Sequence, residues 1–201
     1  MHRVAAQTNL SGNLAWLDDC DLEHVALWTT YHPTQVSMDR FLGRCAELDE
    51  RGARYSVGVV GFKEAWDDIV RLREALDDRV YLWINAYKRD PNYYGEGDVE
   101  RFESVDPLFR YNTRYHPSLG EACRAGASSF TVDGLGDVRR CHFIQTPIGN
   151  LYDESFADAL KERPCVNTSC GCHIGYVHMD RLGLYDVFAD GILERVPAHY
   201  A

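Results

Sequence analysis

The sequence predicts an α/β protein in two parts: a parallel strand–helix repeat over residues 1–110 and a small cysteine-rich α+β extension over 111–201. Three observations predict it. Apolar, β-branched runs alternate with amphipathic helical stretches through the first part, joined by short connections. A polar, Gly/Pro-rich stretch from Arg89 to Gly97 then marks a change of architecture. Beyond it, five of the seven cysteines fall between Cys123 and Cys172.

The elements follow in order. Arg3 to Leu10 is a short strand, and Ser11 to Cys20 a loop with one turn of helix. His24 to Tyr31 is a second strand, rich in β-branched and aromatic residues and ending at His32-Pro33. Thr34 is the expected N-cap of a helix through Glu50, with Phe41, Leu42, Cys45 and Leu48 on one face and Gly52 as its stop. Cys45 is therefore read as a small core residue, while Cys20 carries no assignment. Arg54 to Gly61 is nearly all apolar, as a parallel strand buried on both faces requires. A helix from Lys63 to Asp77 buries Trp66, Ile69, Val70, Leu72 and Leu76, and Arg79 to Ala86 is a fourth strand.

In parallel α/β sheets, ligands meet the carboxyl ends of the strands. Those ends carry Thr8-Asn9, Tyr31-His32, Gly61 with Glu64, and Asn85-Tyr87-Lys88. Further on, Asp98 to Tyr111 is a short helix, and Ser129 to Cys141 a hairpin with Asp133-Gly134 at its turn and Gly136 as a second left-handed position. Thr146 to Leu151 leads into a helix over Asp153–Arg163, and Leu182 to Val196 packs back on the core.

Composition narrows the function classes. A net charge of −10 disfavours nonspecific nucleic-acid binding, which needs a basic surface. No apolar run reaches the length of a membrane span, and the amino terminus lacks a signal-peptide core. An odd cysteine count without a secretion signal is expected of a reducing cytoplasm, where clustered cysteines point to metals or catalysis.

Cys123 and Cys141 flank the hairpin, and Cys165, Cys170 and Cys172 follow as Cys-x4-Cys-x-Cys. A Cys-x-Cys pair rarely meets disulfide geometry but suits two thiolates on one metal group. Three options remain: zinc, an iron–sulfur cluster, or buried uncoordinated thiols. The absence of two Cys-x-x-Cys knuckles favours a cluster over zinc. His142 and His173, each directly following a cysteine, are either substitute ligands or outer donors.

Cys123, twelve residues, Gly136, four residues, Cys141 resembles the opening motif of the SPASM and twitch extensions of radical SAM enzymes, which hold auxiliary [4Fe–4S] clusters. Ile148-Gly-Asn-Leu-Tyr and the cysteines after it are similar to that family too, though five cysteines suit one cluster, as in a twitch domain, rather than two. Residues 3–86 resemble the last four strands of the incomplete (β/α) barrel of the radical SAM core, and Val59-Val-Gly61-Phe-Lys-Glu64 resembles its adenine-side motif. The resemblance implies S-adenosylmethionine contacts at Val59 and Gly61 for the adenine, and at Asn9, Tyr31 and His32 for the methionine and ribose. It also implies a reducing electron donor and a peptide or small-molecule substrate acted on through a 5′-deoxyadenosyl radical. The Cys-x3-Cys-x2-Cys loop that cleaves the cofactor in that family is not in these 201 residues. The chain is thus expected to lack the first two barrel strands, to be inactive alone, and to self-associate through an exposed strand edge. A noncatalytic metal-binding module is the alternative.

Overall fold

The computed structural model describes residues 2–200 and divides them into two compact units. The first runs to Arg114 and regains the chain from Asp190 onward; the second is Tyr115–Ala189.

The first unit is built on a parallel sheet in the order β1-β2-β3-β4, comprising Val4–Thr8, Val25–Thr30, Arg54–Val60 and Leu82–Asn85. β3 is central, pairing with β2 through Leu27–Tyr55 and with β4 through Val57–Leu82. Tyr55 to Val59 are all buried, which explains the near-continuous apolar run. Helix α1 (Met38–Glu50) follows β2, and helix α2 (Trp66–Ala75) follows β3 behind a 3-10 turn at Lys63–Ala65. Phe41, Cys45 and Leu48 of α1 join Ile69 and Leu72 of α2 over Leu27, Val57, Val59, Leu82 and Ile84 in one core.

Both helices differ in detail from the sequence expectation, Trp66 and Val70 of α2 being only part-buried. The N-cap of α1 is Ser37, whose hydroxyl accepts the Arg40 N–H at 3.4 Å, rather than Thr34. The intervening residues form a turn instead, with Gln35 N–H on the His32 carbonyl at 2.9 Å. α2 also ends at Ala75, short of Asp77. At the end of α1, Gly52 takes φ +67°, and Ala53 N–H returns to the Leu48 carbonyl, which satisfies an otherwise orphaned acceptor.

The opposite face of the sheet holds the returning chain. Arg195 lies 4.1 Å from the Trp28 ring centroid and 3.9 Å from that of Trp83. Ser56 Oγ accepts the Trp83 indole N–H at 3.2 Å and donates to the Glu194 carbonyl at 2.5 Å, while the Glu194 carboxylate pairs with Arg54 at 2.8 Å. Gly58 makes this possible, because a Cβ there would sit 2.0 Å from the Trp83 ring.

The two edges of the sheet are treated differently. Beyond β4 come α3 (Glu96–Glu103) and α4 (Phe109–Asn112), two helices in place of the one expected over Asp98–Tyr111. Asp106 between them accepts the Ile84 N–H at 2.7 Å, and Asn112 donates to the Ile84 carbonyl at 3.3 Å. β1 pairs only with β2 among the described residues, and Val4 is 57% exposed.

The second unit has little regular structure. β5 (His116–Pro117) pairs antiparallel with β9 (Ser169–Cys170), and β6 (Thr131–Val132), β7 (Asp137–Arg139) and β8 (Pro147–Asn150) form a three-stranded meander. The β6–β7 turn closes with Gly136 N–H on the Asp133 carbonyl at 3.0 Å, and Gly136 at φ +86° is its left-handed residue; Gly134 takes no positive φ. Helix α5 is a single turn, Phe156–Ala159, in place of the expected helix over 153–163. Its continuation is drawn away: Lys161 N–H bonds the Gly126 carbonyl, and the Arg163 and Pro164 carbonyls accept from Arg140. Short helices α6 (His173–Tyr176) and α7 (Leu184–Phe188) complete the unit.

Candidate functional site

Cysteines from four separated segments come together in the second unit. Cys123 forms an isolated antiparallel bridge with Met179, and Cys141 lies two residues beyond β7, its sulfur accepting the Phe143 N–H at 3.4 Å. Cys165 exchanges backbone hydrogen bonds with the 120–121 segment, its N–H on the Glu121 carbonyl at 3.0 Å. Cys170 lies on β9 opposite His116. All are half-buried and none is in a disulfide.

Electrostatics shows which thiols share a neighbourhood. Burial pushes the Cys170 thiol up to about 12, and the charges of Cys141, Cys165 and Cys123 add to that rise. Burial likewise raises Cys123, with Cys165 and Cys141 contributing, and raises Cys141, with Cys165 contributing. Cys172 joins this group through its backbone N–H, which faces Cys170 and lowers its pKa. Its residue is otherwise the N-cap of α6, with its carbonyl accepting from Gly175 and Tyr176. Gly175 leaves the room that Cys170 occupies: a Cβ there would lie 2.5 Å from the sulfur.

No three of the thiols lie within 4.8 Å of one another. Among the described residues, the only three potential ligand atoms of His, Cys, Asp or Glu within 4.8 Å of one another are those of Asp21, Glu23 and His24, an exposed turn in the other unit. His142 is exposed, while His173 is buried with its ring against Tyr176 and Phe188.

Two residues that sequence reasoning passed over stand beside the thiols. His178 is buried, with Nδ1 2.8 Å from the Tyr185 hydroxyl and Nε2 3.3 Å from that of Ser129. Arg140, 5% exposed, donates to the carbonyls of Pro164 at 2.7 Å and Arg163 at 2.6 Å, and its charge lowers the pKa of both Cys123 and Cys141. The Arg139-Arg140-Cys141 run was the only sequence signal for it.

In the first unit, a cavity of about 420 Å³ opens where β1 and β2 end against α1. Asn9, Thr30, His32, Gln35, Arg40 and Arg44 supply its polar lining. Arg44 holds one wall, donating to the carbonyls of Leu10 at 3.2 Å and Gly12 at 2.5 Å, with Leu10 at φ +58°. Thr30 is 8% exposed and its hydroxyl has no hydrogen-bond partner. Such a group costs about 1–3 kcal/mol when left unsatisfied.

The strand-end residues singled out from the sequence are not all brought together. Asn9 and His32 line this cavity, whereas the Tyr31 ring packs in the core against Phe41 at 5.1 Å. Val59 is also in the core. Gly61, at the end of β3, donates to Asn85 and accepts the Tyr94 hydroxyl at 2.5 Å. Glu64 accepts from the Tyr93 hydroxyl at 2.7 Å, and that bond holds its carboxyl below the usual range.

Among the described residues, no helix is long and apolar enough to cross a membrane. No family model matches the chain, and no curated protein and no solved structure matches it either.

Proposed function

We propose that this chain is the carboxyl-terminal part of a radical SAM enzyme, with an incomplete (β/α) barrel of that type in its first unit and one auxiliary [4Fe–4S] cluster held by its second. The observation that carries the reading is the convergence of Cys123, Cys141, Cys165 and Cys170 from four segments onto one neighbourhood. Their spacing favours a cluster over zinc. Thiolates on one tetrahedral zinc lie roughly 3.8 Å apart, given zinc–sulfur bonds of about 2.3 Å. No three thiols here come within 4.8 Å of one another. A cluster with one iron per thiolate takes ligands set further apart.

These four cysteines would hold the group, leaving Cys172 as the fifth and surplus thiol. When bound, such a cluster supplies one-electron transfer from a reducing donor or a point of attachment for a peptide or small-molecule substrate. The cavity beside β1 and β2 suits the methionine end of S-adenosylmethionine: Arg40 offers positive charge to a carboxylate, Arg44 being already paired with Glu47, and Asn9 and His32 offer hydrogen bonds. The resemblance would carry the adenine to the strand end at Val59 and Gly61, although Val59 is in the core and both Gly61 backbone groups are already bonded. These residues bind and orient; without a Cys-x3-Cys-x2-Cys loop in the sequence, they do not by themselves cleave the cofactor. That last point favours the second reading, a noncatalytic metal-binding module.

The test is anaerobic reconstitution of the full chain with iron and sulfide. Absorption near ~400 nm with about four irons per chain is expected, because thiolate-ligated clusters absorb there and zinc does not. A colourless protein that retains one zinc would replace the cluster with the structural-module reading.

A further inference from the structure

We infer that Arg140 is the internal counter-charge of the thiolate-held group, a positioning residue that ties three of the ligand segments together and eases one-electron reduction at the site. This rests on the cluster reading above and goes beyond it.

Arg140 is an unusual cation for its surroundings. Arg124, Arg139 and Arg181 in the same unit each pair with a carboxylate, on Asp180, Asp133 and Glu121 respectively. Those three are part-exposed, as is Arg163, which bonds carbonyls alone; Arg140 is 5% exposed, and among the described residues no carboxylate meets it. Its Nη atoms are satisfied by the carbonyls of Pro164 and Arg163, and its Nε is buried with no partner. Neutral carbonyls complete hydrogen bonds but do not offset a buried charge, and a buried charge without compensation is strongly unfavourable. The groups that can become anionic nearest to it in the chain are the thiols of Cys141, the next residue, and Cys165, which follows the Pro164 carbonyl that Arg140 holds at 2.7 Å. Thiolates bound to iron carry that negative charge permanently.

Its position also serves assembly. Arg140 directly precedes Cys141 and grips the two residues before Cys165. Gly126, three residues after Cys123, packs on the Arg140 side chain so closely that a Cβ would lie 2.5 Å from Arg140 Cβ. One side chain therefore meets the segments of three ligands.

Reduction adds one electron and one negative charge without breaking a bond, so a fixed neighbouring cation stabilises the reduced state and raises the midpoint potential. The experiment is a redox titration of reconstituted full-length chain with dithionite, which is oxidised to sulfite, followed by electron paramagnetic resonance. Arg140→Lys should keep iron and a near-native potential. Arg140→Gln should load iron and titrate at a more negative potential. An iron-loaded Arg140→Gln with unchanged potential would overturn the inference while leaving the cluster reading intact. If Arg140→Gln fails to load, the lysine variant decides: loaded and near-native supports the role of charge, and empty overturns it. A wild-type chain that takes up no iron would remove both the cluster reading and this one.

Discussion

Asp106 accepts the backbone N–H of Ile84 at 2.7 Å, so a side chain closes the edge of β4 where a strand would otherwise pair. The same carboxylate takes the Leu108 N–H at 3.0 Å and the Tyr81 hydroxyl, anchoring the segment between α3 and α4 to the sheet. Asp106→Ala should therefore cost roughly 3 kcal/mol, the scale for leaving several buried donors unpaired. Denaturant unfolding of the first unit checks this; a loss below ~1 kcal/mol would mean that the edge is held by packing alone.

The same residue gives a pH signature. Burial raises Asp106 from 3.8 to about 6, outweighing the hydrogen bonds that lower it. A group that binds its proton more tightly when folded contributes stability fully below the unfolded pKa and loses it as the pH rises through the folded one. Between pH 4 and 6 this amounts to on the order of 3 kcal/mol. Asp106→Asn should flatten the stability profile across that window, and an identical slope in the variant would refute the assignment.

Gly58 tests the second face of the sheet. Gly58→Ala puts a Cβ 2.0 Å from the Trp83 ring, so Trp83 must leave the position where it stacks on Arg195. Overpacking of this kind costs about 1–3 kcal/mol. Lower stability should accompany a red shift in tryptophan emission as Trp83 meets water; unchanged emission would show that the ring had not moved.

The cysteines should separate cleanly. Under the cluster reading, alanine at Cys141 or Cys170 abolishes iron uptake, whereas alanine at Cys172, Cys20 or Cys45 does not. Iron per chain after reconstitution decides it. Uptake lost with Cys172 and kept with Cys165 would exchange those two in the ligand set.

The sheet was legible because local signals and tertiary roles coincide there. The apolar run of β3 is buried on both faces, and Gly52 both ends α1 and tolerates φ +67°. What escaped depends on distant partners. Thr34 and Ser37 are equally good caps by chemistry, and only the turn at His32 selects Ser37. The stretch 153–163 looks helical until Gly126 and Arg140 claim its carboxyl-terminal backbone, 35 and about 24 residues away. Arg140 and Arg195 read as surface charges, since nothing local announces that a carbonyl pair or two tryptophans will enclose them. The thiols were visible as a group, but which four face one another depends on strand pairing across the whole second unit.

His178 sets the acid limit of the second unit. Its ring bridges Ser129, at the base of the hairpin, to Tyr185 on α7, and its backbone carbonyl accepts the Arg124 N–H at 2.9 Å. Burial, with a smaller push from the Arg124 charge, lowers its pKa from 6.5 to about 4. The unfolded chain therefore takes the proton first. The stability this provides is complete above pH 6.5 and is lost as the pH falls through about 4, on the order of 3 kcal/mol over the window. In the metal-free chain, hydrogen exchange of the β6–β7 amides should accelerate below pH 6.5. His178→Gln, which keeps a donor and an acceptor but does not titrate, should be less stable at neutral pH and insensitive between pH 6.5 and 4. A histidine resonance for residue 178 that titrates near 6.5 in the folded chain would show that the ring is open to water and that the hairpin is held by other contacts.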